Sequence, residues 1–220
     1  MLFAKNYATL RKKMVRDQIE ARGIRSPQIL TVMRKIERHL FVRPEYLNRA
    51  YQDGPLPINC QQTVSQPYIV ALMTDLLNLT PASKVLEIGT GCGYQTAVLA
   101  ELASIVYSIE ILPALAKSAK TRLQRLNYQN IHFKEGNGHY GWQEHAPYDA
   151  VLVAAAPKVV PEQLVQQLSA GGRMVIPVGD SEQSLLLIQK KIPTEDGIKP
   201  AVETTEVTGV SFVPMVGSVN

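Results

Sequence analysis

From residue 66 onward the chain alternates short β-branched runs with longer amphipathic ones, and that rhythm excludes most architectures. Residues 84–88 (KVLEI), 105–109 (IVYSI), 131–133 (IHF) and 149–153 (DAVLV) read as strands. Residues 67–79, 93–102, 113–126 and 161–168 carry helical spacing. Gly171-Gly172 reads as a turn into a further strand at 173–177. Strands separated by helices pair in parallel, because a crossover of that length returns the chain to the same end of the sheet. Segments 184–189 and 207–213 add two strands with no helix between them, so at least one runs antiparallel. The expectation is an α/β fold built on a doubly wound, mostly parallel, seven-stranded sheet.

The front of the chain has another texture. Leu10, Met14 and Ile19, then Ile29, Leu30, Met33 and Ile36, recur at helical spacing among charges, and Ser26-Pro27 is a helix-start signal. Residues 50–65 show no period and hold Asp53, Gly54, Pro55, Pro57 and Asn59. An irregular stretch of that length in a compact chain often carries function. One domain over 1–220 is expected, with N-terminal helices and a site loop through 65, a core over 66–180 and C-terminal strands over 181–220.

Charge is unevenly spread. Twelve Lys and Arg stand against four Asp and Glu before Ala50, and eleven against fifteen from Ala50 on. Such a split fits a nucleic-acid arm or a solvated helical face. A hydrophobic share of 45% with 19% charged residues excludes a disordered chain. Cys60 and Cys92 form no CxxC pair, and His39, His132, His139 and His145 lack ligand spacing, so neither a disulfide scaffold nor a metal site is expected. Charges between Lys5 and Asp17 interrupt any apolar leader, and the longest apolar run, 150–156, is far short of a membrane span. A cytoplasmic chain without a membrane segment is expected.

The chemistry concentrates where a doubly wound sheet binds ligands, at the carboxyl ends of its strands. The first core strand runs into Glu87-Ile88-Gly89-Thr90-Gly91-Cys92-Gly93-Tyr94. A dinucleotide fingerprint needs a third glycine where this chain has Tyr94. The G-x-G-x-G pattern points instead to a nucleoside cofactor without a pyrophosphate, such as S-adenosylmethionine. Glu110 ends the second strand nineteen residues beyond Gly91, where a carboxylate could accept from both ribose hydroxyls. Asn137-Gly138 follows the third strand; its amide could read the adenine edge, and the same dipeptide is a plain tight-turn signal.

Taken together, VLEIGTGCGYQTAVLAEL (85–102), YSIE (107–110), the 148–179 segment, AYQDGPLPI with QTVSQPYIVALMT (50–74) and VSFVPMVG (210–217) resemble the protein-L-isoaspartate O-methyltransferases over nearly the whole chain. The glycine loop is common to many methyltransferases, whereas QTVSQP and FVPMVG are specific to this family. The resemblance implies a Rossmann-like S-adenosylmethionine-dependent methyltransferase with an N-terminal helical extension. Its implied activity is methyl transfer to the free α-carboxylate of L-isoaspartyl residues in damaged proteins, followed by collapse of the ester to a succinimide. Residue by residue it implies Ser65 as the active-site residue, with Thr63 and Val64 beside it. Glu87, Gly89, Thr90, Gly91, Gly93, Glu110, Asn137 and Gly138 then belong to the cofactor site. Asp53, Pro55 and Pro57 fall in the enclosing loop, and Phe212 to Val216 in a tail that closes over the site. The implied partners are isoaspartyl-containing proteins and peptides, with no nucleic acid and no membrane, met by a monomer.

Two positions depart from the family pattern. Asn137 stands where aspartate is usual, which removes a charge from the expected adenine contact and weakens it by about 1 kcal/mol. Asn59-Cys60-Gln61 replaces smaller or glycine-containing stretches. Ser65 also has a plain structural use, as N-cap of the helix starting at Pro67. Two other functions compete with repair. An RNA methyltransferase is suggested by the basic front, although Ala154-Ala155-Ala156-Pro157 lacks the Asn/Asp-Pro-Pro-aromatic stretch that amino-group methylation of bases uses. A catalytically silent binder of isoaspartyl or other chain ends is the other.

Overall fold

A computed structural model describes residues 6–192 and 202–217. Helix α1 (Tyr7–Met14) opens at Asn6, whose side chain accepts from Thr9 N at 3.0 Å. A π-turn at Val15–Ile19 and a 3-10 turn at Glu20–Arg22 follow, ended by Gly23 at φ 101°. Helix α2 (Pro27–Lys35) starts as expected, with Ser26 accepting from Ile29 N and Pro27 in the first turn. The helical pattern does not carry on to residue 50. Ile36 turns extended after α2, residues 38–40 and 44–49 form only 3-10 turns, and Pro44 holds Arg43 extended between them.

Strands β1 (Leu56–Pro57) and β2 (Thr63–Val64) pair as an antiparallel hairpin inside the stretch that has no sequence period. Cys60 and Gln61 turn it, at φ 58° and 57°. Consecutive left-handed residues match the twist of a hairpin and favour glycine or asparagine.

The core follows in order: α3 (Pro67–Leu76), β3 (Lys84–Ile88), α4 (Tyr94–Ala100), β4 (Ile105–Glu110), α5 (Pro113–Arg125), β5 (Ile131–Glu135), β6 (Tyr148–Val153), α6 (Glu162–Gln166), β7 (Leu168–Gly179), β8 (Gln183–Lys190) and β9 (Val202–Val210). The seven-stranded sheet has the order β5-β4-β3-β6-β7-β8-β9. Pairs β5·β4, β4·β3, β3·β6 and β6·β7 are parallel, while both β7·β8 and β8·β9 are antiparallel. Gly171-Gly172 is an irregularity within β7, beside a register shift between Tyr148 and Ala150, rather than a turn before the strand. Strand β9 begins at Val202 and stops at Val210, so residues 211–213 leave the sheet.

β3 and β6 are buried almost throughout, as expected of parallel strands covered on both faces. Met14, Ile19, Ile29 and Met33 pack in one cluster with Tyr94, Val98 and Leu123. The basic front is therefore a layer on α4 and α5, and charges such as Arg34 and Lys35 pair at its surface with Glu20 and Glu101. Among the described residues no helix is long and apolar enough to cross a membrane. The chain leaves β3 for β4 on one side and returns to β6 on the other, which opens a crevice at the carboxyl end of β3.

Candidate active site

A cavity with about 800 Å³ of empty space, partly open to solvent, occupies that crevice. The loop after β3 forms its floor. Gly89, Gly91 and Gly93 take φ values of 93°, 56° and 87°, the left-handed region where a side chain is strained. Glu110, at the end of β4, ties the loop down: its Oε2 accepts from Gly91 N at 2.8 Å and its Oε1 from Leu112 N at 3.0 Å. Each oxygen keeps a further lone pair that can face a ligand. Ile88, Ile109, Leu112 and Leu115 make an apolar wall beside it, and Gly138 closes the far side. A Cβ at Gly138 would run into Ile88 Cγ2 and meet Met215 Cε, so only glycine keeps this space.

Among the described residues Glu110 is the sole charged residue in the wall, and no Lys or Arg lines it for a phosphate. A carboxylate beside apolar walls fits a ribose diol, an adenine ring and a nearby cation. S-adenosylmethionine, a sulfonium nucleoside without phosphate, has that chemistry.

Most of the expected cofactor residues meet here, but three do not line the cavity. Glu87 is fully buried beneath the loop. Its Oε2 accepts from Thr96 Oγ1 and Ser108 Oγ, both at 2.6 Å, and Ser108 Oγ lies 2.6 Å from Thr90 Oγ1. Ser108 donates to the carboxyl group, so Thr90 donates to Ser108, and Glu87 braces the loop from below. Burial pushes its carboxyl up to about 8, with Ser108 and Thr96 pulling back and Glu110 adding to the rise. Gly93 starts α4 against Leu123 rather than facing the cavity. Asn137 caps the 3-10 turn Gly138–Tyr140, its Oδ1 accepting from His139 N at 3.0 Å and lying 2.9 Å from His139 Nδ1. Its amide also abuts Gly217, where a Cβ would come within 2.7 Å of Oδ1. The turn reading of Asn137-Gly138 is the one the geometry favours, because a short polar side chain bonds readily to backbone two residues on.

On the opposite wall β2 brings Thr63, Val64 and Ser65 to the cavity. Ser65 does not cap α3: the capping position is Gln66, which makes no side-chain cap. Among the described residues nothing hydrogen-bonds Ser65 Oγ, which leaves the hydroxyl available. A second recess, lined by Arg22, Tyr68 and Phe212 among others, shares Thr63, Ser65, Ala154 and Val213 with the first. Asp53 lies at its rim, accepting from Gln66 Nε2 at 2.8 Å and 3.5 Å from Arg22. Pro55 lines the recess, and Pro57 lies in β1.

The tail closes the cavity through backbone contacts. Gln183 clamps Phe212, accepting from its N at 2.7 Å and donating to its O at 3.1 Å. Ala156 then donates to Val213 O at 2.9 Å and accepts from Met215 N at 2.8 Å, which sets Met215 and Val216 over the site. Gln62, Cys92, Tyr94, Gln95, Leu112 and Leu115 also line the cavity, though none was singled out as a ligand residue. The first four lie within the family-like motifs and Tyr94 also breaks the dinucleotide fingerprint, whereas Leu112 and Leu115 carried no signal.

A parallel sheet with two antiparallel strands at one edge, and an acid-anchored glycine loop at its crevice, defines the class of Rossmann-like S-adenosylmethionine-dependent methyltransferases. A family profile for protein-L-isoaspartate(D-aspartate) O-methyltransferase matches residues 9–220. The chain belongs to that family. It is 50% identical over 208 residues to the protein-L-isoaspartate O-methyltransferase of a Picosynechococcus species, covering 94% of this chain and 90% of the relative. It is 51% identical over 215 residues to the one from Trichlorobacter lovleyi, covering 96% and 95%. A solved protein-L-isoaspartate O-methyltransferase superposes with a TM-score of 0.83 at 29% identity, over 94% of this chain and 66% of that one. A putative family member from Plasmodium falciparum, solved with S-adenosyl-L-homocysteine, shares the fold with a TM-score of 0.76 at 22% identity, over 94% and 98%.

Proposed function

We propose that the chain transfers a methyl group from S-adenosylmethionine to the free α-carboxylate of L-isoaspartyl residues in damaged proteins and peptides. The observation that carries this reading is the meeting of two recesses at Ser65, one suited to a nucleoside and one open along the 208–213 segment. Bound there, S-adenosylmethionine supplies a methyl group activated by its sulfonium. In this reading Glu110 takes the ribose hydroxyls, the Ile88–Leu115 wall takes the adenine, and Gly89, Thr90, Gly91 and Gly138 shape the space between. Thr63, Val64, Asp53 and Val216 flank the peptide, and Glu87, Gly93 and Asn137 serve from behind the walls.

An α-carboxyl has a reference pKa near ~3.5, so the nucleophile arrives ionised and needs no general base. The chain has to align the carboxylate in line with the methyl and keep water out, which together are worth several kcal/mol. Ser65 Oγ donates one hydrogen bond to the carboxylate. Removing a single bond to a charged group costs about 1.5 kcal/mol, so Ser65→Ala should lower kcat/KM on an isoaspartyl peptide roughly tenfold. Unchanged turnover would remove Ser65 from this role. The chain is further proposed to act as one domain and one copy, in the cytoplasm, on polypeptides and not on nucleic acid. Labelled methyl transfer to an isoaspartyl peptide, its aspartyl counterpart and bulk RNA tests the whole reading. Base-labile label on the first alone is expected; label on RNA, or on none, overturns it.

A further inference from the structure

Arg38 is completely buried on a 3-10 turn that no sequence motif marks. Its Nη1 donates to Ala50 O, and its Nη2 donates to Ser65 O at 3.0 Å and Gly54 O at 3.3 Å. All three carbonyls belong to the loop that carries Ser65 into the cavity wall. The guanidinium carbon lies 5.7 Å from the centre of the Tyr94 ring, itself part of that wall. Nε has no partner, and among the described residues no carboxylate pairs with the group.

A guanidinium in a dry interior with only carbonyls around it is an expensive way to tie a loop, because arginine stays charged there. Neutral donors would hold the same carbonyls without burying an unbalanced charge. The charge has a use once the substrate is considered. A carboxylate docking at Ser65 enters a cavity whose one charged wall residue among those described, Glu110, is acidic. A fixed positive charge directly behind the Ser65 backbone offsets that repulsion, and little solvent intervenes to screen it.

We propose that Arg38 is the positioning residue of the carboxylate half-site: one buried guanidinium holds the 50–65 loop in register and sets a positive potential behind Ser65. This rests on the reading that an isoaspartyl α-carboxylate binds at Ser65. Arg38 touches neither substrate nor cofactor. It acts through the loop backbone and through its field.

The experiment compares the unaltered protein with Arg38→Met and Arg38→Lys. Readouts are S-adenosyl-L-homocysteine affinity, KM for an isoaspartyl peptide, and inhibition by the same peptide with its α-carboxylate converted to a neutral α-carboxamide. Arg38→Met should raise the peptide KM at least tenfold and keep S-adenosyl-L-homocysteine affinity within twofold. It should also lose the preference for carboxylate over carboxamide, and Arg38→Lys should restore that preference in part. A merely structural clamp would weaken both peptides equally. That result, a KM within threefold of the unaltered protein, or a parallel loss of S-adenosyl-L-homocysteine binding would overturn the proposal. If Arg38→Met does not fold, Arg38→Lys decides through amide exchange. Faster exchange over 50–65, with 89–93 unchanged and the carboxylate preference retained, supports the role; unchanged exchange over 50–65 or a lost preference refutes it. No methylation of the isoaspartyl peptide by the unaltered protein would mean that the functional reading itself had failed, and this inference with it.

Discussion

Replacing Glu110 with alanine should raise the Kd for S-adenosylmethionine at least a hundredfold. The carboxylate is almost buried, at 6% exposure, and is the one charged group of the described residues in the cavity wall. If each of its oxygens accepts a ribose hydroxyl, two bonds to a charged group are lost, worth about 1.5–3 kcal/mol each. Three kcal/mol alone is roughly a factor of a hundred in Kd. The same carboxylate holds Gly91 N and Leu112 N, so its removal also releases the loop that floors the cavity. Glu110→Gln keeps one acceptor oxygen and should fall between the two. Calorimetry with S-adenosylmethionine and S-adenosyl-L-homocysteine separates the contributions. The charge on the first and not the second means that part of the loss should be specific to S-adenosylmethionine. A Kd for Glu110→Ala within threefold of the unaltered protein would exclude Glu110 from the ribose site.

Glu87→Gln should change the pH dependence of stability more than any other single substitution in the core. The folded chain holds the Glu87 proton up to about pH 8, while in an unfolded chain the carboxyl titrates at 4.5. Below pH 4.5 both states carry the proton and the contribution of Glu87 is fully present. From there to pH 8 the unfolded chain ionises and the folded chain does not, so the folded state loses ground as pH rises. At 1.36 kcal/mol per unit, a window of this width amounts to about 5 kcal/mol. Glutamine keeps the shape and an oxygen for Thr96 and Ser108, and has no proton to lose. The variant's Tm relative to the unaltered protein should therefore rise by roughly 10 °C between pH 5 and pH 8.5. A Tm difference that stays flat across that range would show that Glu87 is ionised in the folded chain.

These predictions bear on residues that the sequence exposed to different degrees. Glu110 was legible because three things coincide at one position: a strand end, an acidic residue and a fixed distance from the glycine loop. Glu87 was legible as a motif member but not as a buried brace, since its neighbours Thr96 and Ser108 come from α4 and β4. Asn137 resembled a ligand contact because only its place in the chain was visible. In the folded chain its Oδ1 is taken by the adjacent His139 backbone and ring, contacts that its place in the chain does not show. Ser65 had two uses on paper; with Gln66 at the cap of α3 it does not serve as the N-cap, and its role at the carboxylate rests on the proposed function. Arg38 carried no local signal, because its partners lie 12, 16 and 27 residues away on a loop without period.

The sequence by itself determined the α/β class, the number of core strands and the kind of ligand loop, because hydrophobic period and glycine placement act over a few residues. It also determined the family, through motifs that need no folding to be read. Only the tertiary structure decided that both β7·β8 and β8·β9 pair antiparallel, that the 211–216 segment leaves the sheet to cover the cavity, and which acid lines that cavity. It alone revealed the buried Arg38 charge behind Ser65. Those outcomes depend on burial and on hydrogen bonds between distant segments, whose energies appear only once the chain has brought them together.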